Sequence, residues 1–258
     1  MSSQVNAVFN ERREHGLLIG YLPLGFPTVD ASVEAAVALV ENGVDILEMG
    51  LPYSDPVMDG LVIQRATNTS LEAGFRLSHT FDAVAAIRER VDAPVLVMTY
   101  FNPILQYGVD AFARDLAAAG GAGLITPDLI PDEAKEWLGA ADAHDLDHVF
   151  LAAPSSSADR LSSATSNSRG FVYAVSTMGI TGARSDVDTA ARGVVARLRE
   201  SGARNIGVGL GISTPEQVTE VLEYADAAIV GSALVSALAE GGPQAAGALA
   251  KQLSAGKH

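Results

Sequence analysis

No cysteine occurs among the 258 residues, so a disulfide framework, a thiolate metal site and a cysteine nucleophile are all closed to this chain. Basic residues are scarce: seventeen Lys and Arg against thirty-one Asp and Glu give a formal charge of -14, which repels phosphodiester backbones and anionic lipid surfaces. No nucleic acid partner is expected. A small phosphorylated substrate stays compatible with that charge, because backbone amides and helix N-termini bind phosphate without a basic surface. Also missing are an apolar run near the roughly 20 residues of a membrane span and, in the opening MSSQVNAVFNERREHG, the apolar core of a signal peptide. The expected location is the cytoplasm, with no membrane contact. No linker, charge block or low-complexity run divides the chain, so residues 1–258 read as one domain. With 48% hydrophobic residues it can bury one large core.

Competing chemistries are also lacking. His15, His79, His144, His148 and His258 show no ligand spacing and lie mostly in polar helical or terminal stretches, so no metal is expected. Ser54 and Ser176 have no elbow motif or adjacent histidine and read as loop serines. Trp137, the single tryptophan, is assigned to packing its helix against the core.

What is present is a regular alternation. A charged helical stretch at 4–15 precedes a strand at Leu17 to Pro23 that ends in GYLPLGFP, where glycine and proline stop any helix. Apolar strands follow at Val44–Gly50, Ala93–Tyr100, Gly123–Thr126, Val149–Ala153, Gly170–Val175, Asn205–Gly209 and Ala227–Val230. Helices are predicted between them at Val29–Glu41, Leu77–Arg90, Val109–Ala119, Asp132–His144, Ala158–Thr165, Thr189–Glu200 and Pro215–Leu222, with closing helices after Ser232 and a longer excursion over Leu61–Gly74. Eight alternating units with right-handed crossovers predict a closed (β/α)8 barrel, the N-terminal helix covering its bottom. A doubly wound open sheet is the alternative, but it would not gather residues from six units around one centre.

The stretch VDILEMGLPYSDPVMDG, Val44 to Gly60, carries two carboxylates. Glu48 interrupts a buried strand, where an ionised carboxylate is expensive unless it is paired or its pKa rises. A raised pKa is what proton transfer near neutrality requires. Eleven positions on, Asp59 ends a loop whose prolines and glycine can fold it back over the strand end. Both also have plain readings: Glu48 paired with an arginine, Asp59 as a turn residue or helix cap. Late in the chain, Thr181-Gly182-Ala183, GVGLGIS at 207–213 and Val230-Gly231-Ser232 are glycine-rich. Ser213-Thr214-Pro215 and Gly231-Ser232 each open a predicted helix, and the loops after the seventh and eighth barrel strands are a common phosphate site.

GLPYSDPVMDG with Glu48 before it and Ile63-Gln64 after it, together with GYLPLGFP, VMTYFNPI, LITPDLIP, FVYAVSTMGITGAR, GVGLGIS and AAIVGSALV, resembles the tryptophan synthase alpha chain family over nearly the whole length. The resemblance implies a (β/α)8 barrel that cleaves indole-3-glycerol phosphate to indole and glyceraldehyde 3-phosphate without cofactor or metal. It implies that Glu48 is the acid/base residue and that Asp59 stabilises charge at the indole N–H. It assigns Tyr21, Met98, Tyr100 and Tyr173 to the indole pocket, Gly182, Gly211, Gly231 and Ser232 to the phosphate, and Thr181 to a loop that closes over the site. It also implies a pyridoxal-phosphate-dependent beta chain in an α2β2 assembly, contacted near Pro52, Asp55 and Pro56. Met58, Leu61 and Val62 depart from the family's usual residues and bear on closure of the Asp59 loop. The turn-rich segments 52–59 and 176–188 are expected to need the partner for full order. A free-standing lyase and a non-catalytic activating subunit are the other two readings.

Overall fold

The structure, a computed structural model, describes residues 3–11, 14–175, 184–209 and 211–257, with backbone only for 184–188. Nine strand segments form one all-parallel sheet: β1 (Leu17–Pro23), β2 (Ile46–Gly50), β3 (Val95–Met98), β4 (Gly123–Ile125), β5 (Asp147–Val149), β6 (Leu151–Ala152), β7 (Val172–Val175), β8 (Ile206–Gly209) and β9 (Ala227–Val230). Their order is β5-β4-β3-β2-β1-β9-β8-β7-β6. Only Phe150 separates β5 from β6, and its carbonyl accepts the Tyr173 N–H, so the two segments are halves of one broken strand and the ring closes through it. The result is the predicted eight-position barrel, not the open sheet.

Side-chain alternation sorts the strands into two layers. Leu18, Leu22, Leu47, Val95, Val97, Leu124, Val208 and Val230 pack outward against the helices, with Trp137 buried beside Phe112 at 6.5 Å between ring centroids. Leu17, Ile19, Ile46, Leu96, Ile125, Val149, Phe171 and Ile229 fill the interior. The helix Gln4–Glu11 caps the bottom of that interior with Val5 and Phe9, the latter 5.7 Å from Phe171. Polar pins secure this floor. Ser3 Oγ donates to Asp147 Oδ2 at 2.6 Å and Arg169 Nε lies 3.1 Å from Asp147 Oδ1. At the other chain end, Lys257 Nζ donates to Asp45 Oδ2 at 2.8 Å and to the Gly43 carbonyl at 2.7 Å.

Several boundaries differ from those read in the sequence, each for a local reason. The fifth strand starts at Asp147, because a hydrogen bond from Ser3 and an ion pair with Arg169 offset much of the cost of a carboxylate that looked too polar for a buried strand. His148 is therefore buried in a strand instead of lying in a polar stretch, with Nε2 3.8 Å from Asp142, and burial holds its pKa below the usual range. Leu61–Glu72 is a full helix, hidden in the sequence by its exposed Leu61 and Val62. Phe101–Tyr107 is an additional helix that Asn102-Pro103 conceals; proline is tolerated in a first turn, where its missing N–H has no intrahelical partner. The N-terminal helix is described over Gln4–Glu11, and the one placed at Thr189 is already helical at Arg184. The closing helix Ser232–Ser254 is broken where Gly242 adopts φ 72° ahead of Pro243.

Candidate active site

Alternation that puts Ile46 inside the barrel puts Glu48 inside as well, one layer nearer the C-terminal mouth, in register with Tyr21 on β1 and Leu96 on β3. Glu48 is 1% exposed, and its Oε2 has no hydrogen-bond partner among the described residues. Nor does any described ion pair hold it, which disposes of the arginine-paired reading within those residues. Burial first, and then the field of Asp59, push its pKa up to about 8. Asp59 is half-buried and burial pushes its pKa to about 6. A helix does begin at Leu61, but its cap is Gly60 and no side chain bonds its first amides, so Asp59 is not spent on capping. The loop thus brings the second carboxylate within electrostatic reach of the first, as the spacing suggested.

Three tyrosines wall this pair. Tyr21 and Tyr173 are held well above the ordinary phenol range, by burial first and then by Glu48 and Asp59, and stay protonated. Each lies across a glycine on the next strand: a Cβ at Gly50 would stand 2.3 Å from Tyr21 Oη, and one at Gly209 would stand 2.7 Å from Tyr173 Oη. These two glycines make room for the tyrosine side chains, a role that sequence reading did not assign to them. Their only signal is a strand-end glycine in register beside a tyrosine strand. Tyr100, 6% exposed at the end of β3, is pushed to about 12 by burial, and its hydroxyl accepts the Met58 N–H at 2.8 Å. Met98, partly buried on the same interior face, pairs in register with Gly50 and Ile125.

The two helix starts proposed for anion binding separate clearly. Thr214 Oγ1 accepts the Gln217 N–H and Gln217 Oε1 accepts the Ser213 N–H at 2.6 Å, so that helix is already capped from within. Gly231, the residue before Ser232, gives its helix no side-chain cap, leaving the first amides for a ligand. Gly211 has φ +68° and, among the described residues, nothing within 4 Å of where a Cβ would stand, so its backbone is open to an anion on the described side. Gly211, Gly231 and Ser232 thus remain the phosphate candidates. Thr181 and Gly182, and Ser176 with the rest of 176–183, lie outside the described residues, whereas 184–188, read as part of a turn-rich segment, belong to the helix Arg184–Glu200. In the loop after β2, Pro52 is buried, Pro56 half-buried and Asp55 exposed, so Asp55 and Pro56 are the docking candidates that present surface. Among the described residues no three His, Cys, Asp or Glu side chains are grouped to hold a metal, and no helix is long and apolar enough to cross a membrane.

A parallel barrel with two carboxyl groups of unlike pKa at its C-terminal mouth defines a (β/α)8 protein fitted for acid–base chemistry. The family model described as tryptophan synthase alpha chain matches residues 9–257, and the chain belongs to that family. It is 67% identical over 241 residues to the tryptophan synthase alpha chain of Leifsonia xyli, covering 93% of this chain and 92% of that one. Among solved structures, Mycobacterium tuberculosis tryptophan synthase superposes with a TM-score of 0.94 at 54% identity, covering 99% of this chain and 98% of that one. The tryptophan synthase complex of Pyrococcus furiosus does so at 0.83 and 34% identity, covering 93% and 96%.

Proposed function

We propose that this chain cleaves indole-3-glycerol phosphate to indole and glyceraldehyde 3-phosphate and passes the indole to a beta chain for tryptophan synthesis. One observation carries the division of labour: burial sets Glu48 near 8 and Asp59 near 6, so at neutral pH one holds a proton and the other a charge. The bond to break joins indole C3 to the glycerol carbon bearing a hydroxyl. Glu48 gives its proton to C3, leaving positive charge spread towards the indole nitrogen. The Asp59 carboxylate faces the N–H and offsets that charge. As the C–C bond breaks, its electrons return to the ring, the hydroxyl oxygen becomes the aldehyde carbonyl, and Glu48 takes up the hydroxyl proton. Indole and the aldehyde leave with Glu48 protonated again. Tyr21, Met98, Tyr100 and Tyr173 wall the ring, and the amides at Gly211, Gly231 and Ser232 hold the phosphate, joined by Thr181 and Gly182. None of these steps calls on a cofactor or metal in this chain; pyridoxal phosphate belongs to the beta chain. We place the enzyme in the cytoplasm as one barrel domain in an α2β2 assembly.

The phosphate assignment gives a direct test. Inorganic phosphate should compete with substrate in the wild type. Gly231→Val should weaken that competition roughly tenfold, because a branched side chain crowds the uncapped amides. Equal inhibition constants in the two proteins remove the site from the helix start.

Docking of the beta chain fits the distribution of exposed apolar residues. Among the described residues the exposed large apolar side chains are Val57, Leu61, Val62, Leu105, Tyr107 and Ile130, all on the segments that follow β2, β3 and β4. Indole release by the chain alone should rise as beta chain is added, and Asp55→Lys should shift that titration to at least roughly tenfold higher beta-chain concentration. A rate independent of the beta chain would favour a free-standing lyase. Absence of indole release, alone or with partner, would leave only a non-catalytic activating subunit.

A further inference from the structure

We propose that Tyr100 is a positioning residue, whose hydroxyl latches the Asp59 loop to the end of the third strand and so fixes where the Asp59 carboxylate stands. The inference deepens the function proposed above and rests on it. One other described hydrogen bond reaches out of the loop, from Asn102 Nδ2 to Tyr53 Oη at 3.4 Å, but it holds the loop's start, six positions before Asp59. The bonds around the carboxylate are local. Val57 N–H bonds the Asp55 carbonyl, Asp59 N–H bonds the Pro56 carbonyl, and Gln64 returns to Gly60 and Asp59. Such bonds shape the loop but do not set its place over the barrel. The bond from Met58 N–H to Tyr100 Oη, 2.8 Å long and spanning 42 positions of sequence, ties it to the segment just after β3, one residue before the carboxylate.

The acceptor is itself held still. Tyr100 is 6% exposed and its ring packs on Tyr53, 5.1 Å between centroids. Its backbone opens the helix Phe101–Tyr107, whose Phe101 N–H is bonded by both oxygens of Asp128 at 3.0 and 3.1 Å, and Asp128 sits on the segment after β4. Segments that follow three consecutive strands therefore meet at Tyr100 and its neighbour Phe101. The hydroxyl spends a lone pair on the Met58 amide, and its ring can still wall the indole. Asp59 also contributes to the raised pKa of Tyr100, as expected for groups this close.

Tyr100→Phe deletes the latch and keeps the ring. Losing one hydrogen bond leaves Asp59 in its working place part of the time, so kcat for indole release should fall roughly tenfold while KM stays within about twofold. The acid limb of the kcat profile should move to lower pH, because a carboxylate returned to water regains its ordinary pKa. In an Asp59→Asn background, Tyr100→Phe should cost less than about twofold. A tenfold rise in KM with kcat unchanged would make Tyr100 a substrate ligand instead, and equal losses in both backgrounds would show that it does not act through Asp59. Amide exchange supplies a readout free of activity: protection at Met58 should be present in the wild type and lost in the variant, with β1 and β9 unchanged. If the variant loosens throughout, the wild type alone decides, since an unprotected Met58 amide overturns the latch. A wild type that releases no indole refutes the proposed function, whereas one that releases indole as fast as Tyr100→Phe refutes only the latch.

Discussion

Glu48→Gln should lower indole release by about a thousandfold or more while substrate binding changes little, because the amide keeps the shape and loses the transferable proton. Single-turnover indole formation and a separate binding titration measure the two quantities, and near-normal turnover would sink the acid/base assignment. The same substitution has a consequence for stability with a definite sign. Glu48 is nearly fully buried and its pKa rises from 4.5 to about 8, so the native state keeps a proton that the unfolded chain releases. Its contribution to stability is therefore fully present below about 4.5 and is lost as pH rises through about 8. Glutamine cannot ionise. Relative to wild type, the variant should gain roughly 2–4 kcal/mol between pH 5 and pH 8.5, read from urea unfolding at both pH values. A difference that does not change with pH would mean that Glu48 titrates like an exposed carboxylate.

Asp59→Asn is the second large effect, with an expected loss of roughly a hundred- to a thousandfold in kcat that saturating substrate does not restore, since a neutral amide cannot offset cationic charge on the ring. Its pH profile separates it from a merely damaged loop. Wild-type activity should require Asp59 ionised and Glu48 protonated, rising through about 6 and falling through about 8, with apparent values that belong to the pair. In Asp59→Asn the acid limb should vanish. The alkaline limb should move down, because the Asp59 charge is the second cause of the raised Glu48 pKa. Retention of the acid limb would assign it to another group.

Glu48 was legible in the sequence because a carboxylate inside an apolar strand conflicts with its surroundings, and such conflicts mark function. Asp59 was less so, since Asp-Gly before a helix has ordinary explanations, and only the uncapped helix start at Gly60 sets those aside. The Thr214 helix start looked like an anion site from its residue types; its own Gln217 side chain fills it, a contact that spacing alone could not rank above a ligand. What stayed hidden depends on contacts remote in sequence. The Tyr100 latch joins positions 42 apart, Asp128 caps a helix that begins 27 positions earlier, and Asp147 becomes a strand residue through Ser3, 144 positions away.

The closure of the ring bears on how the protein is made. β1 is bonded on one side to β2 and on the other to β9, and Lys257 reaches Asp45 across 212 positions. During synthesis the first strand therefore waits with one edge unpaired until β9 has emerged about two hundred positions later, and contacts of such long range fold slowly. Without β9 the barrel is an open sheet whose exposed edge can pair with other chains, and β9, seated between β8 and β1, converts it into a closed one.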